Sequence, residues 1–146
     1  MTFSDVDKAA TGTGEGAKAD EAYEILETCY KGGVNFFDCA EGYGYAGAAE
    51  RVLGEAIQIG LKKGTWDRMD LVVSTKLHNG GRGDRDTVNS IGLSRKHLVE
   101  GMKASLARLQ LDYVDLVRPP TILASHKEGS TTEISRPTHL ATCLTD

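Results

Sequence analysis

The 146-residue chain has no long apolar run, no C-x-x-C pair, no excess of positive charge and no Gly-Lys-Ser/Thr triplet. Its apolar stretches span a few residues, whereas a membrane-crossing helix needs about 20, so membrane insertion is not expected. The N-terminus lacks the basic, apolar and small-residue succession of a secretory leader, which makes the cytoplasm the expected compartment of a soluble chain. Cys29, Cys39 and Cys143 are odd in number and unpaired in spacing, which argues against a disulfide framework or a zinc site and for reduced thiols. A formal charge of -4, a pI near 5.6 and scattered basic residues remove the electrostatic grounds for a nucleic-acid partner.

What is present suits one ordinary core: 40% hydrophobic and 26% charged residues in a chain of single-domain length. Residues 1–19, with "ATGTGEGAKA", read as a flexible segment. Asp20 is a candidate helix cap ahead of Tyr23, Leu26 and Tyr30, which recur at helical spacing until Gly32 and Gly33. "VNFFD" reads as a strand. A second helical stripe, Ala49, Val52, Leu53, Ala56, Ile57 and Leu61, runs from about Gly47 to Gly64, with Glu50, Arg51, Glu55 and Lys62 on the other side. "DLVVSTK" lacks alternation, as a parallel strand covered on both faces should. A long loop, "LHNGGRGDRDTVNSIG", leads to Ser94, a good N-cap for a helix over 95–109 with Leu98, Met102, Leu106 and Leu109 on its apolar stripe. "DYVDLV" supplies a third strand. The alternation predicts an α/β fold with a parallel sheet over 20–117, followed by a disordered tail over 118–146.

"FFDCAEGYGYAG" contains a G-x-G-x-x-G spacing at Gly42, Gly44 and Gly47, which raises a dinucleotide-binding turn. The fit is poor, because the glycines do not come directly off the strand and the next strand ends in Thr75 and Lys76 without an acid. "GTGEG" at 12–16 has neither a preceding strand nor the rest of a phosphate loop and reads as linker. In a (β/α)8 barrel, by contrast, strand ends carry the chemistry. Asp38 and Lys76 would then stand on adjacent strand ends with Tyr43 in the loop between. A lysine ammonium stabilises a phenolate, and Asp38 would keep the lysine charged and oriented. The same spacing also fits a plain strand-end ion pair beside an exposed tyrosine.

"GVNFFDCAEGYGYAGAAERVLGEAI", "DLVVSTK" and "GLSRKHLVEGMKASLARLQLDYVDLV" closely resemble the aldo-keto reductases, and within them the branch of the potassium-channel β subunits. The resemblance covers about residues 20–117 and implies a partial (β/α)8 barrel of about three parallel strands. It implies an NADPH-dependent oxidoreductase of aldehydes or ketones in which Tyr43 donates the proton, Lys76 lowers the tyrosine pKa, and Asp38 bonds Lys76 and lies by the nicotinamide ribose. Under it, the dinucleotide spacing of the glycines is coincidental.

Departures from the family pattern shape the remaining expectations. The family usually continues from "DYVDLV" through an aromatic and a small residue to His or Asn before Arg-Pro, whereas Arg118 and Pro119 follow Val117 directly. The fourth catalytic position is therefore absent; His78, His97, His126 and His139 are candidate substitutes, each read as an ordinary surface or loop residue. A closed barrel takes about 250 residues, so the chain reads as truncated, with 118–146 either a genuine tail or a gene-model artefact. The alternative to an enzyme is an interaction protein resembling a β subunit, partnered by a potassium channel, a full-length homologue or itself, since an incomplete sheet leaves edges and an apolar face.

Overall fold

A computed structural model describes residues 15–85 and 87–119. The order is α1 (Glu15–Lys31), β1 (Phe36–Asp38), α2 (Ala48–Lys63), β2 (Val72–Lys76), α3 (Arg95–Leu109) and β3 (Leu116–Arg118), with short helical turns in the connections. The three strands form one parallel sheet in the order β1-β2-β3, as the alternation of helix and strand predicts. This is a mixed α/β unit consistent with a segment of a (β/α)8 barrel. Of the flexibility expected over 1–19 and 118–146, the parts at 1–14 and 120–146, with His126 and His139, lie outside the described residues, while Arg118, expected in the tail, ends β3 because it pairs in register with Lys76.

The helices end where chain chemistry ends them. At the C-terminus of α2, Gly64 adopts φ 69° and returns its N–H to the carbonyls of Gly60 and Leu61. Ser94 caps α3 by accepting from the His97 N–H at 3.2 Å. α1 begins five residues ahead of the expected cap, so Asp20 lies inside the helix and the segment taken as flexible already coils from Glu15. β1 is shorter than "VNFFD", because the Val34 N–H is taken by the Cys29 carbonyl in the turn that leaves α1. β3 starts late for a similar reason: Arg68 holds the Tyr113 carbonyl and the Asp115 carboxylate, and Asp115 caps the Val73 N–H.

The core lies between the helices and one face of the sheet. Phe37 and Val73 point into it against Ala22, Tyr23 and Leu26 of α1 and Val52, Leu53, Ala56 and Ile57 of α2. Trp66 closes one end, its ring centroid 5.4–6.5 Å from those of Tyr23, Tyr30 and Phe37, and its indole N–H donates to the Ile57 carbonyl. α3 reaches this core through Leu109, whose backbone lies so close to Gly54 that a side chain there would collide with it. The stripe expected on α3 is shifted: His97, Gly101, Ser105 and Leu109 are buried, a row at four-residue spacing, while Leu98 is exposed. Hydrophobicity alone points to the wrong side because the buried row meets polar partners and a close-packed loop.

Candidate active site

Parallel register sets Asp38 beside Ser74, with Lys76 two residues further along on the same side. The Ser74 hydroxyl donates to Asp38 Oδ1 at 2.5 Å, and Lys76 Nζ donates to Asp38 Oδ2 and, at 3.0 Å, to the Cys39 carbonyl. Tyr43 comes from the loop after β1. Its N–H donates to the Ala40 carbonyl and its own carbonyl accepts from Ala49, the second residue of α2, so both sides of the residue are fixed. Lys76 Nζ lies 4.6 Å from the Tyr43 ring centroid. The three residues singled out in the sequence therefore converge, at the C-terminal ends of β1 and β2.

Their electrostatics follow from this contact. Burial alone would lower the Lys76 pKa, but the hydrogen bonds to Asp38 and Tyr43 outweigh it and hold the ammonium above the ordinary lysine value. Burial likewise would raise Asp38; its bonds to Lys76 and Ser74 and the Arg118 charge prevail and hold the carboxyl below its usual range. A charged lysine therefore stands against a phenol that is 40% exposed and open to a reactant. Cys39, next to Asp38, is chemically quiet: burial, with the Glu50 charge, pushes its thiol up to about 12.

The glycines of the G-x-G-x-x-G spacing have conformational and steric work. Gly44 sits at φ 71°, ψ 171°, a region open essentially to glycine alone. Gly47, at φ 73°, lies under the Arg108 side chain, where a Cβ would run into the guanidinium stem. Arg108 passes between Gly47 and Gly81 and joins the two loops that carry Tyr43 and follow Lys76.

Sequence reading missed the polar layer beneath these loops. Glu41, two residues before Tyr43 and 2% exposed, accepts the backbone N–H groups of His78 and Gly80 at 2.6 and 3.1 Å, while its own N–H donates to the Lys76 carbonyl at 3.1 Å. Its second carboxylate oxygen lies 3.2 Å from His97 Nε2, and His97 Nδ1 lies 2.6 Å from the Gly92 carbonyl. Glu50, fully buried, accepts from Thr75 Oγ1 at 2.5 Å and from Arg108 Nε at 2.6 Å. Glu50 is not on the solvent side of α2, and His97 is no surface residue. A signal for Glu50 existed, since it shares a helical row with Leu53, Gly54 and Ile57 at spacings of three, four and seven. His97 carried none beyond its position one turn before Gly101.

The Tyr43 phenol and Lys76 open into a cavity of about 290 Å³ that His78 and Asn79 also line. A second cavity of about 290 Å³ lies behind the loop, between Gly81, Lys96, His97 and Arg108. Of the four histidines considered as catalytic substitutes, His78 alone among the described residues reaches the Tyr43 cavity.

Residues 8–119 match the family model described as the aldo/keto reductase family. The chain is 48% identical over 115 residues to an Arabidopsis thaliana protein named as a probable voltage-gated potassium channel subunit beta, a match covering 78% of this chain and 30% of that one. A rice (Oryza sativa subsp. japonica) protein of the same name is 51% identical over 98 residues, covering 66% of this chain and 27% of that protein. The chain thus spans less than a third of the length of either relative.

Proposed function

The chain belongs to the aldo/keto reductase family, and from that premise we propose that Tyr43, Lys76 and Asp38 form the proton-delivering half of a site that reduces aldehydes or ketones with NADPH. The observation that carries this reading is the position of Lys76 Nζ, bonded to Asp38 and seated against the Tyr43 ring at the mouth of a cavity. When NADPH is bound it supplies the hydride. The Tyr43 hydroxyl hands its proton to the carbonyl oxygen, and the adjacent ammonium stabilises the phenolate that remains. Asp38 keeps Lys76 charged and aimed; Ser74 fixes Asp38 in turn.

The fit of the cofactor rests on Asp38. Its carboxylate keeps acceptor capacity beyond the Ser74 and Lys76 bonds, and its side chain is 35% exposed on the open side of the sheet, which suits a ribose hydroxyl. The 146-residue chain alone is expected to bind NADPH weakly and to turn over little. Hydride transfer needs the two reactants held in near-attack geometry, an effect worth roughly 7–11 kcal/mol, and three strands offer one side of such a site.

Grafting residues 20–117 into a complete homologous barrel tests the reading. Tyr43→Phe there is expected to lower carbonyl turnover by about 10²–10⁴ while NADPH fluorescence titration changes little, because the ring stays and the proton goes. Unchanged turnover would remove Tyr43 from the mechanism.

A second reading draws on the names of the two relatives: an associating, non-enzymatic subunit of a potassium channel. Phe36 and Leu116, exposed on the sheet face away from the helices, support association. Co-purification of a channel protein with the tagged chain, unaffected by Tyr43→Phe, favours this reading over catalysis.

A further inference from the structure

Regular pairing of β1 with β2 ends at Asp38 and Ser74, before the loops that carry Tyr43 and follow Lys76. Two backbone bonds extend it, from the Cys39 N–H to the Ser74 carbonyl at 2.9 Å and from the Glu41 N–H to the Lys76 carbonyl at 3.1 Å. Beyond them the Glu41 side chain takes over. Its Oε1 accepts the His78 N–H at 2.6 Å and the Gly80 N–H at 3.1 Å, so this one residue holds the other chain at Lys76, His78 and Gly80.

A carboxyl group 2% exposed is costly to bury unless its second oxygen is also engaged. His97 of α3 engages it: Nε2 lies 3.2 Å from Glu41 Oε2, while Nδ1 lies 2.6 Å from the Gly92 carbonyl oxygen, which holds the ring from its other side. The fit is close. A Cβ on Gly101 would stand 3.0 Å from His97 Cδ2 and Nε2 and 3.3 Å from Glu41 Oε2, so a side chain there would press on both. Glu41 borders both cavities, yet each of its oxygens already has a partner within the protein. What it can contribute to a reaction is geometry.

Resting on the carbonyl-reducing reading above, we infer that Glu41, braced by His97, is a positioning residue that fixes the spacing between the Tyr43 ring and Lys76 Nζ. The path is short. Tyr43 follows Glu41 by two residues and is bonded through its N–H to the Ala40 carbonyl, and Lys76 gives its own carbonyl to the Glu41 N–H. Side-chain reach matters more than charge for this task, because two N–H groups and an imidazole have to be met at once.

Glu41→Asp and Glu41→Gln separate the two properties. Aspartate keeps the acid but draws its oxygens back by one carbon; glutamine keeps the length and an accepting oxygen. In the full 146-residue chain, hydrogen exchange at the His78 and Gly80 amides is expected to quicken roughly 10-fold with Glu41→Asp, the weight of one hydrogen bond to a charged group, and to change little with Glu41→Gln. In the complete barrel carrying residues 20–117, Glu41→Asp should lower kcat by about 10- to 100-fold, as a displacement of order 1 Å does, with KM near its natural value. Glu41→Gln should restore most of the rate. In a Tyr43→Phe background Glu41→Asp should cost nothing further, whereas a purely structural role would lower both backgrounds alike. Gly101→Ala, which crowds His97 and Oε2 without removing either, should give the same pattern at several-fold and carries the test if Glu41→Asp does not fold. Equal losses from aspartate and glutamine, the reverse order, or losses that add to that of Tyr43→Phe overturn the inference. The two readings fail separately. Turnover unchanged by Tyr43→Phe sinks the reductase, while amide exchange that follows side-chain length still supports the Glu41 tie; turnover that Tyr43→Phe abolishes and Glu41→Asp leaves intact sinks the positioning role alone.

Discussion

The two faces of the sheet differ more than its two ends do. On one, Phe37, Val73 and Thr75 are 6%, 0% and 0% exposed beneath the helices. On the other, Phe36 and Leu116 are 44% and 42% exposed, and between them stand Asp38, Ser74 and Lys76. The covered face holds the unit together through apolar contact. The open face carries the groups proposed to react, and only Ser74, under the Asp38 carboxylate, is fully buried on it. Stability and chemistry are thus separated by the two-residue period of a strand. Helix cover also stops short of β3, which is exposed along its whole length.

Breaking the covered side should cost most. Arg108→Ala leaves the Glu50 carboxylate buried without its cation, and loss of one partner from such a pair typically destabilises by about 3–5 kcal/mol. The same change frees the loops that Gly47 and Gly81 hold against the guanidinium, so the Tyr43 backbone amide should also lose hydrogen-exchange protection. Urea denaturation measures the first effect. A loss below 1 kcal/mol would mean that water reaches Glu50 and that the polar layer is not part of the core.

Apolar truncations sharpen the contrast. Ile57→Ala, at a fully buried position, is expected to cost about 2–5 kcal/mol, whereas Phe36→Ala on the open face should stay within about 0.5 kcal/mol. Comparable losses at both sites would show that something covers the open face. Self-association is the simplest such cover, since β1 and β3 both present unpaired edges among the described residues. Leu116→Lys places a charge on that surface and should lower any concentration-dependent association seen by sedimentation, with little effect on the denaturation midpoint.

The same division explains what was legible in the sequence. α2 and α3 were readable almost to the residue because amphipathic spacing and the caps Gly64 and Ser94 are local signals. The convergence of Asp38, Tyr43 and Lys76 was readable because parallel strands bring their ends to one side. Glu41, Glu50, His97 and Arg108 escaped because each is buried only by virtue of a partner distant in the chain; Glu50 and Arg108 are separated by 58 positions. A charged residue on a helix looks solvated until its partner is placed. Leu98 misled in the opposite sense, since nothing in a one-dimensional pattern says that the Gly101 and Ser105 side of α3 is the closer-packed one.

The smallest effect expected is the pH dependence of the Asp38–Lys76 pair, and its sign is fixed. Asp38 is held below its ordinary value of 3.8, so the unfolded chain takes up this proton more readily than the folded one. Its contribution is complete above that ordinary value and disappears as pH falls through the lower folded one. Lys76 is held above its ordinary 10.5, so its contribution is complete below that value and is lost as pH rises through the higher folded one. Between these limits the pair should be insensitive to pH. Both side chains retain solvent contact, 35% for Asp38 and 16% for Lys76, and screening keeps the expected contribution under about 1 kcal/mol. Urea midpoints of the natural chain and of Asp38→Asn, compared at pH 7 and pH 3, isolate it: the gap between the two proteins should narrow at the lower pH, where the natural carboxylate begins to protonate. A gap that stays constant would mean that the ion pair serves only to orient Lys76 toward Tyr43. It would then belong wholly to the chemistry of the open face.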